Sequence, residues 1–341
     1  MPKYMMKKYQ ADIPHFDTTP ESFFHNRRSF IQKLGLGLTT ASTLSCTSSA
    51  AGQSDILSEP IHRPDIFPSE RNTLYALPQH AGSDLTPRQT AATHNNFYEF
   101  LPGRGGAVWK LVGDFKVDPW KIEVTGACHN PFTLDLDGLF KFPHEERTYH
   151  FRCVERWAMN IPWSGFPLNE IINLANPKTE ARFIRFVTAY LPVQMPGIPR
   201  APYYPWPYNE ALRIDEAMHD LTMVVTGCYG RPLLKQHGAP VRIVVPWKYG
   251  YKSPKSVVKI EFVREQPKTF WQIQPAEYGF LSNVNPNIPH PRWSQKRSYW
   301  LGSHSWFKTP IFNGYDRYVA ELYPDEPRIP QRPLRRGQLA R

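Results

Sequence analysis

Cysteine is scarce, with four in 341 residues and no C-x-x-C pair among them. That excludes zinc ribbons, c-type haem attachment and thioredoxin-like chemistry. There is no H-E-x-x-H, no phosphate-cradling G-x-x-x-x-G-K loop and no G-x-S-x-G elbow. Gly103-Arg-Gly-Gly106 is glycine-rich but follows no clear strand and opens no helix, so it reads as a loop rather than a nucleotide fingerprint. No apolar run reaches the roughly 18 residues of a membrane span. Acidic residues are outnumbered, 30 against 41 Lys+Arg, for a formal charge of +11. The excess is dispersed: no run of five Lys/Arg occurs, and the densest stretch is a Pro/Arg-rich tail holding Arg328, Arg332, Arg335, Arg336 and Arg341. A solvated tail explains it, and nucleic acid is not expected as a partner.

Proline is abundant at 35 residues, and aromatics make up 14% of the chain. Proline removes a donor and clashes inside a helix, so an all-helical bundle is excluded. The expected body is α+β, with mixed sheets, short helices and long ordered loops. Strand-like stretches run over Trp120–Gly126, Thr148–Cys153, Arg182–Thr188, Leu221–Thr226, Val241–Pro246 and Ser256–Arg264. In the last of these Ser256, Val258, Ile260 and Phe262 form the inward set. Helical spacing marks Pro167–Ala175 and Glu210–His219.

The N-terminus reads as an address. Arg27-Arg28-Ser29-Phe30-Ile31 precedes a weakly apolar stretch free of charge after Lys33, and Ser48 and Ala50 supply small residues before a cut after Ala50. This is the pattern of a twin-arginine export signal over 1–50, although a fortuitous Arg-Arg pair is the plain alternative. The signal implies the twin-arginine translocase as a partner and the periplasm as destination. That route carries folded proteins, which suits a cofactor inserted beforehand. Residues 51–92 read as an extended arm, 93–323 as one catalytic domain and 324–341 as the tail. Cys128, Cys153 and Cys228 remain after the signal. Whether Cys128 and Cys228 pair is open.

Three clusters carry candidate chemistry. In His150–Trp163 a strand ends on Cys153, and at strand periodicity Glu155 points to the same side. A thiolate beside a carboxylate needs a positive charge between them, which a metal supplies; a buried structural cysteine is the alternative. In Gly238–Ser256 a strand enters a turn where Arg242, Lys248, Lys252 and Lys255 alternate with aromatics, either a seat for a phosphate or a solvated cationic turn. Asn95–Phe100 offers amides and a phenol among aromatics, which suits a heterocycle or an ordinary loop.

These segments, with Gln194–Gly197, Arg213–His219, Asn283–Asn287, His290–Ser294 and Phe312–Tyr315, resemble in order the catalytic subunits of the periplasmic protein-methionine-sulfoxide reductases, molybdenum enzymes of the sulfite-oxidase fold. The resemblance implies a sulfite-oxidase-type molybdopterin-binding fold holding one molybdenum–molybdopterin per chain. Cys153 would be the thiolate ligand to the metal, with Glu155 and Asn96 beside its open side. Asn95, Tyr98, Glu99 and Thr188 would contact the pterin. Arg242 and Lys255 would hold its phosphate end, with backbone groups of Ser253 and Pro254. The chain departs from the family pattern at His237, where asparagine is common, and at Ser253-Pro254, where Gly-Ile is common. Oxidised periplasmic proteins and free methionine sulfoxide are the implied substrates. Electrons would come from quinol through a haem-containing membrane subunit. Two rival readings remain: the same fold acting on sulfite or other S- and N-oxides, and a metal-free periplasmic binding protein. Sulfite would call for arginines facing the metal, against which Glu155 stands. Retention of Cys153 together with the phosphate-side cations speaks against a decayed site.

Overall fold

The computed structural model describes residues 55–332 apart from Ser83 and Arg104, so the expected signal and the end of the tail lie outside the described residues. The architecture is α+β. Thirteen strands follow in chain order: β1 (Glu70–Arg71), β2 (Lys121–Gly126), β3 (Phe132–Asp135), β4 (Glu145–Arg152), β5 (Trp157–Pro167), β6 (Phe183–Thr188), β7 (Asn209–Arg213), β8 (Met223–Cys228), β9 (Arg231–Pro232), β10 (Arg242–Val244), β11 (Val257–Val263), β12 (Arg297–Trp300) and β13 (Trp306–Lys308). They form a five-stranded sheet, β3-β2-β11-β6-β7, and an eight-stranded sheet that runs β1-β4-β5-β12-β13, with β8, β9 and β10 branching from β5. One continuous apolar core draws on both, including Val124, Ile184 and Phe262 from the small sheet and Tyr149, Ile161 and Val224 from the large one. Among the described residues no helix is long and apolar enough to cross a membrane.

The expected strands are present to within a few residues. In β11 the alternation holds from Ile260 onward. A register shift at Val257/Lys259, next to Ser256 at φ 51°, turns Val257 inward in place of Val258. The helix Leu168–Ala175 forms as expected, burying Leu168, Ile171, Ile172 and Ala175, and ends on Asn176 in the left-handed conformation. The expected helix Glu210–His219 is a correction. Its first half is strand β7, paired with β6 over Asn209–Arg213, and only Ile214–Met218 is helical. Pairing along a sheet edge outweighs a helical spacing of so few apolar residues. Cys128, Cys153 and Cys228 are all buried, and none forms a disulfide among the described residues.

The longest strand, β5, escaped the sequence reading because it contains Pro162 and ends on Pro167. Its neighbours explain why proline is tolerated. On the side away from β4, Trp157 and Ala158 pair with β12 and Trp163–Pro167 with β8, which leaves 159–162 between them. Pro162 directs its carbonyl to that side, where it accepts from Tyr229 N (2.9 Å), so its missing N–H costs no ladder bond. The chain before residue 87 fills the rest. Thr86 N donates to Asn160 O, Asn160 N to Thr86 Oγ1, and Asn160 Nδ2 to the carbonyls of Ala81 and Asp84. His80 then packs edge-on against His150 of β4, ring centroids 4.8 Å apart.

Two buried ion pairs tie the loop after β10 to the small sheet. Lys248 Nζ meets Glu216 Oε1 (2.7 Å), Leu281 O and Asn283 Oδ1, and Lys252 Nζ meets Glu210 Oε2 (2.6 Å) and Ala211 O. Removing one partner strands the other charge without water. Lys248→Met is expected to cost about 3–5 kcal/mol in urea unfolding, whereas the exposed Lys121→Met stays within about 0.5 kcal/mol. Burial also lowers the imidazole pKa of His80 to about 4 and of His150 to about 3. Both are neutral in the fold, while the unfolded chain takes up their protons near pH 6.5. Stability therefore falls as pH drops from about 6.5 toward 3. His80→Gln should flatten that acid slope of the urea midpoint.

Candidate functional site

Cys153 closes the β4–β5 hairpin. Its N–H donates to Trp157 O (2.9 Å), its carbonyl accepts from Arg156 N (3.0 Å), and Arg156 takes φ 80°, a left-handed conformation that non-glycine residues rarely adopt. The turn, and not the strand alternation expected from the sequence, brings Glu155 back over the sulfur, because β4 ends at Arg152. Around Sγ stand Asn96 Nδ2 and Glu155 N, each at 3.4 Å, and Glu155 Oε2 at 3.9 Å. Glu155 Oε2 also accepts from Asn96 Nδ2 (3.0 Å) and Trp157 Nε1 (3.1 Å). Burial, then the Glu155 charge, push the Cys153 thiol up to about 12. On its own it stays protonated; a cation on the sulfur would release the proton.

The sulfur opens on a cavity of about 320 Å³, within the range that takes small molecules and cofactors. The same cavity holds positive charge. Arg242 is buried, donates to the carbonyls of His237 (3.0 Å) and Ser253 (3.2 Å), and lies over the Trp163 ring. Desolvation pulls its pKa down to about 10. Lys255 Nζ donates to Asn96 O (2.7 Å), and burial followed by Arg242 pulls it down to about 7. Among the described residues neither cation has a carboxylate within ion-pair distance. The buried Glu99 is pushed up to about 7 by its burial and is opposed in this by the charge of Lys255. Buried charge is costly unless compensated, so a cavity lined by Arg242 and Lys255 suits an anion. Asn95 Oδ1, Asn96 Oδ1, Trp163 Nε1 and Arg242 Nε are buried without a hydrogen-bond partner, a set of polar atoms aimed at something other than protein. Gly238, at φ 98°, makes the close approach possible: a Cβ there would sit 2.5 Å from Lys255 Cβ.

Eleven of the twelve residues singled out in the sequence line this cavity: Asn95, Asn96, Tyr98, Glu99, Cys153, Glu155, His237, Arg242, Ser253, Pro254 and Lys255. Thr188 does not. It stands behind the wall and donates from Oγ1 to Glu99 Oε1 (2.7 Å), fixing that carboxyl. Ser253 and Pro254 also differ from expectation, because their polar groups are already engaged with protein. Ser253 N donates to Gly250 O, its Oγ accepts from Val245 N, its carbonyl holds Arg242, and Pro254 O accepts from Ile243 N. They shape the seat and aim the arginine. Of the four cations in the Gly238–Ser256 cluster, only Arg242 and Lys255 face the cavity, since Lys248 and Lys252 are sealed in ion pairs.

Sequence reasoning missed much of the wall. Trp157 and Trp163 belong to the core and also line the cavity, while Trp247 is core alone and donates to Tyr323 OH. Tyr204, Trp271, Tyr278 and Arg292 come from distant loops with no spacing to betray them. Cys228 lies on the wall, its sulfur 3.5 Å from His237 Nδ1.

Ligand-free protein should gain thermal stability in millimolar inorganic phosphate over the same ionic strength of chloride. Arg242→Met should abolish that gain and leave the unliganded melting point unchanged or raised, because it removes an uncompensated buried charge.

The chain is similar to known proteins. Residues 110–271 match the oxidoreductase molybdopterin binding domain. The protein-methionine-sulfoxide reductase catalytic subunit MsrP of Burkholderia mallei is 43% identical over 92% of this chain and 93% of its own length. That of Campylobacter jejuni is 44% identical over 89% and 96%. Among solved structures, the sulfane dehydrogenase SoxCD of Paracoccus pantotrophus matches 43% of this chain and 38% of its own at 19% identity and a TM-score of 0.37, too partial to carry an argument.

Proposed function

The chain belongs to the family of protein-methionine-sulfoxide reductase catalytic subunits, and we propose that it reduces methionine sulfoxide, protein-bound and free, with a molybdenum–molybdopterin group in the cavity beside Cys153. It binds molybdopterin through its matched domain. The observation that carries the finer reading is the lining of one cavity: the buried Cys153 thiol together with buried Arg242 and Lys255, neither of which has an ion-pair partner among the described residues. A group that carries both a soft metal and a phosphate fits that lining.

When bound, the group supplies acceptance of the sulfoxide oxygen and its release as water on arrival of two electrons and two protons. The chain's residues do the rest. Cys153 Sγ provides the thiolate. Arg242 and Lys255 hold the phosphate and regain compensation for their burial. Asn95, Tyr98 and Glu99, the last fixed by Thr188, flank the heterocycle, and His237 stays neutral because burial drives its pKa to about 3. Asn96 and Trp157 clamp Glu155 Oε2, which leaves Oε1 to hold or give a proton next to the reacting oxygen. Trp157, Tyr204, Trp271 and Tyr278 exclude water and offer faces and edges to a thioether. The carboxylate at Glu155 disfavours an anionic substrate such as sulfite. Arg152, beside the cysteine in sequence, is committed to Ser298 Oγ, Gln295 Oε1 and Cys153 O, and Arg292 on the cavity wall is paired with Glu277.

The export pattern at 1–50 supports work in the periplasm, on exported proteins whose methionines have been oxidised. A haem-bearing membrane subunit would return the electrons. Elemental analysis tests the core of this reading. Wild type should carry about one molybdenum per chain, and Cys153→Ser should lose the metal or at least about 100-fold of its sulfoxide reduction, beyond the 10–100-fold typical of a supporting partner. A folded, exported wild type without molybdenum would sink it.

A further inference from the structure

Between Glu277 and Asp316 the sequence contains no acidic residue, while Arg292, Lys296, Arg297 and Lys308 fall within that stretch. Three of these four cations belong to or flank the β12–β13 hairpin, whose outer strand ends the large sheet; among the described residues β13 pairs only with β12. Strand alternation divides the hairpin's faces. Phe307 turns inward against His150 and Trp300, and Ser298 is buried with its hydroxyl on Arg152. Arg297, Tyr299, Trp306 and Lys308 share the opposite face.

That face has an unusual centre. Trp306 is 45% exposed, and two guanidiniums lie over its ring, Arg156 at 5.1 Å and Arg297 at 5.5 Å from the centroid. Cation–π contacts of this kind hold an exposed indole in place and keep the patch positive. Aromatic and arginine side chains are also the types enriched at the centres of protein interfaces.

The hairpin is wired to the metal-binding turn. Arg156 N donates to Cys153 O (3.0 Å), Tyr299 N donates to Arg156 O (2.9 Å), and Trp300 N, one residue on, donates to Ser305 O (3.0 Å), the residue before Trp306. Three hydrogen bonds and the backbone between them thus link the sulfur's own residue to an exposed ring at a sheet edge. Electron tunnelling decays more slowly through bonds and hydrogen bonds than across gaps, so this edge is the entrance to a short covalent and hydrogen-bonded route.

We propose that the outward face of the β12–β13 hairpin, centred on Trp306, is the docking surface for the electron donor, a reduced haem protein presenting carboxylates to Arg297 and Lys308. The inference rests on the functional reading above and adds where the partner binds. Each docking oxidises one ferrous haem to ferric and delivers one electron. Two such events with two protons reduce one sulfoxide to the thioether and release one water.

The test uses the metal-loaded enzyme and the haem-bearing membrane subunit, purified in detergent with its haem reduced. Arg297→Glu/Lys308→Glu should slow haem oxidation in the presence of methionine sulfoxide by at least roughly tenfold at low salt and weaken binding of the two proteins in parallel. The gap to wild type should close as salt screens the contact. Turnover driven by reduced benzyl viologen, which needs no docking surface, should be unchanged. Lys116→Glu/Lys121→Glu, a reversal of equal size on the small-sheet side, should alter neither rate. Unchanged haem oxidation and binding in the hairpin variant would overturn the proposal. So would an equal loss with viologen, which would make the hairpin a support for the catalytic site. A wild type that turns over with viologen but never oxidises the haem would instead remove the partner on which the proposal rests.

Discussion

A thiol buried beside a carboxylate cannot ionise unaided, and the β4–β5 hairpin forces Cys153 into that position. The turn places Glu155 over the sulfur, gives both Asn96 and Trp157 the same carboxylate oxygen to hold, and takes a left-handed residue at Arg156 to close. Burial and the Glu155 charge outweigh the donors at Asn96 Nδ2 and Glu155 N and keep the thiol protonated until a cation arrives. The same electrostatics that make the empty thiol inert make the thiolate a strong ligand once a metal displaces the proton.

Positive charge in this chain is sorted by what stands opposite it. Lys248 and Lys252 are matched one-to-one with Glu216 and Glu210 and serve only to fasten the loop after β10. Arg242 and Lys255, from the same stretch, have no ion-pair partner among the described residues and line the cavity. A third group, on the β12–β13 hairpin, lies outside in solvent. One net charge of +11 thus divides into structural, ligand-binding and surface populations that composition alone cannot separate.

How much was legible follows from the same distinction. Local patterns announced β2, β6, β8 and β11, the helix at 168–175, and the cysteine–carboxylate pair, because each depends on neighbours in sequence. The Asn95–Glu99 and Arg242–Lys255 sets were recognisable through their resemblance to a family, and the fold does gather them around one cavity. What stayed hidden depends on tertiary partners. Strand β5 was obscured by prolines whose tolerance comes from a break between neighbouring strands. Strand β7 was mistaken for helix because its pairing with β6 lies outside its own sequence. The aromatic wall from Tyr204, Trp271 and Tyr278 and the retreat of Thr188 behind Glu99 likewise come from chain crossings that no spacing encodes.

The break along β5 has a consequence for solubility. A stretch of strand without a neighbour is ordinarily a template for another chain's backbone. Here that side is buried and offers no usable donor: Asn160 is closed by Thr86, and Pro162 has none. The opening in the large sheet is thus capped by its own N-terminal segment and blunted by an imino acid, so an unfolded neighbour finds no rung on which to begin an aggregate.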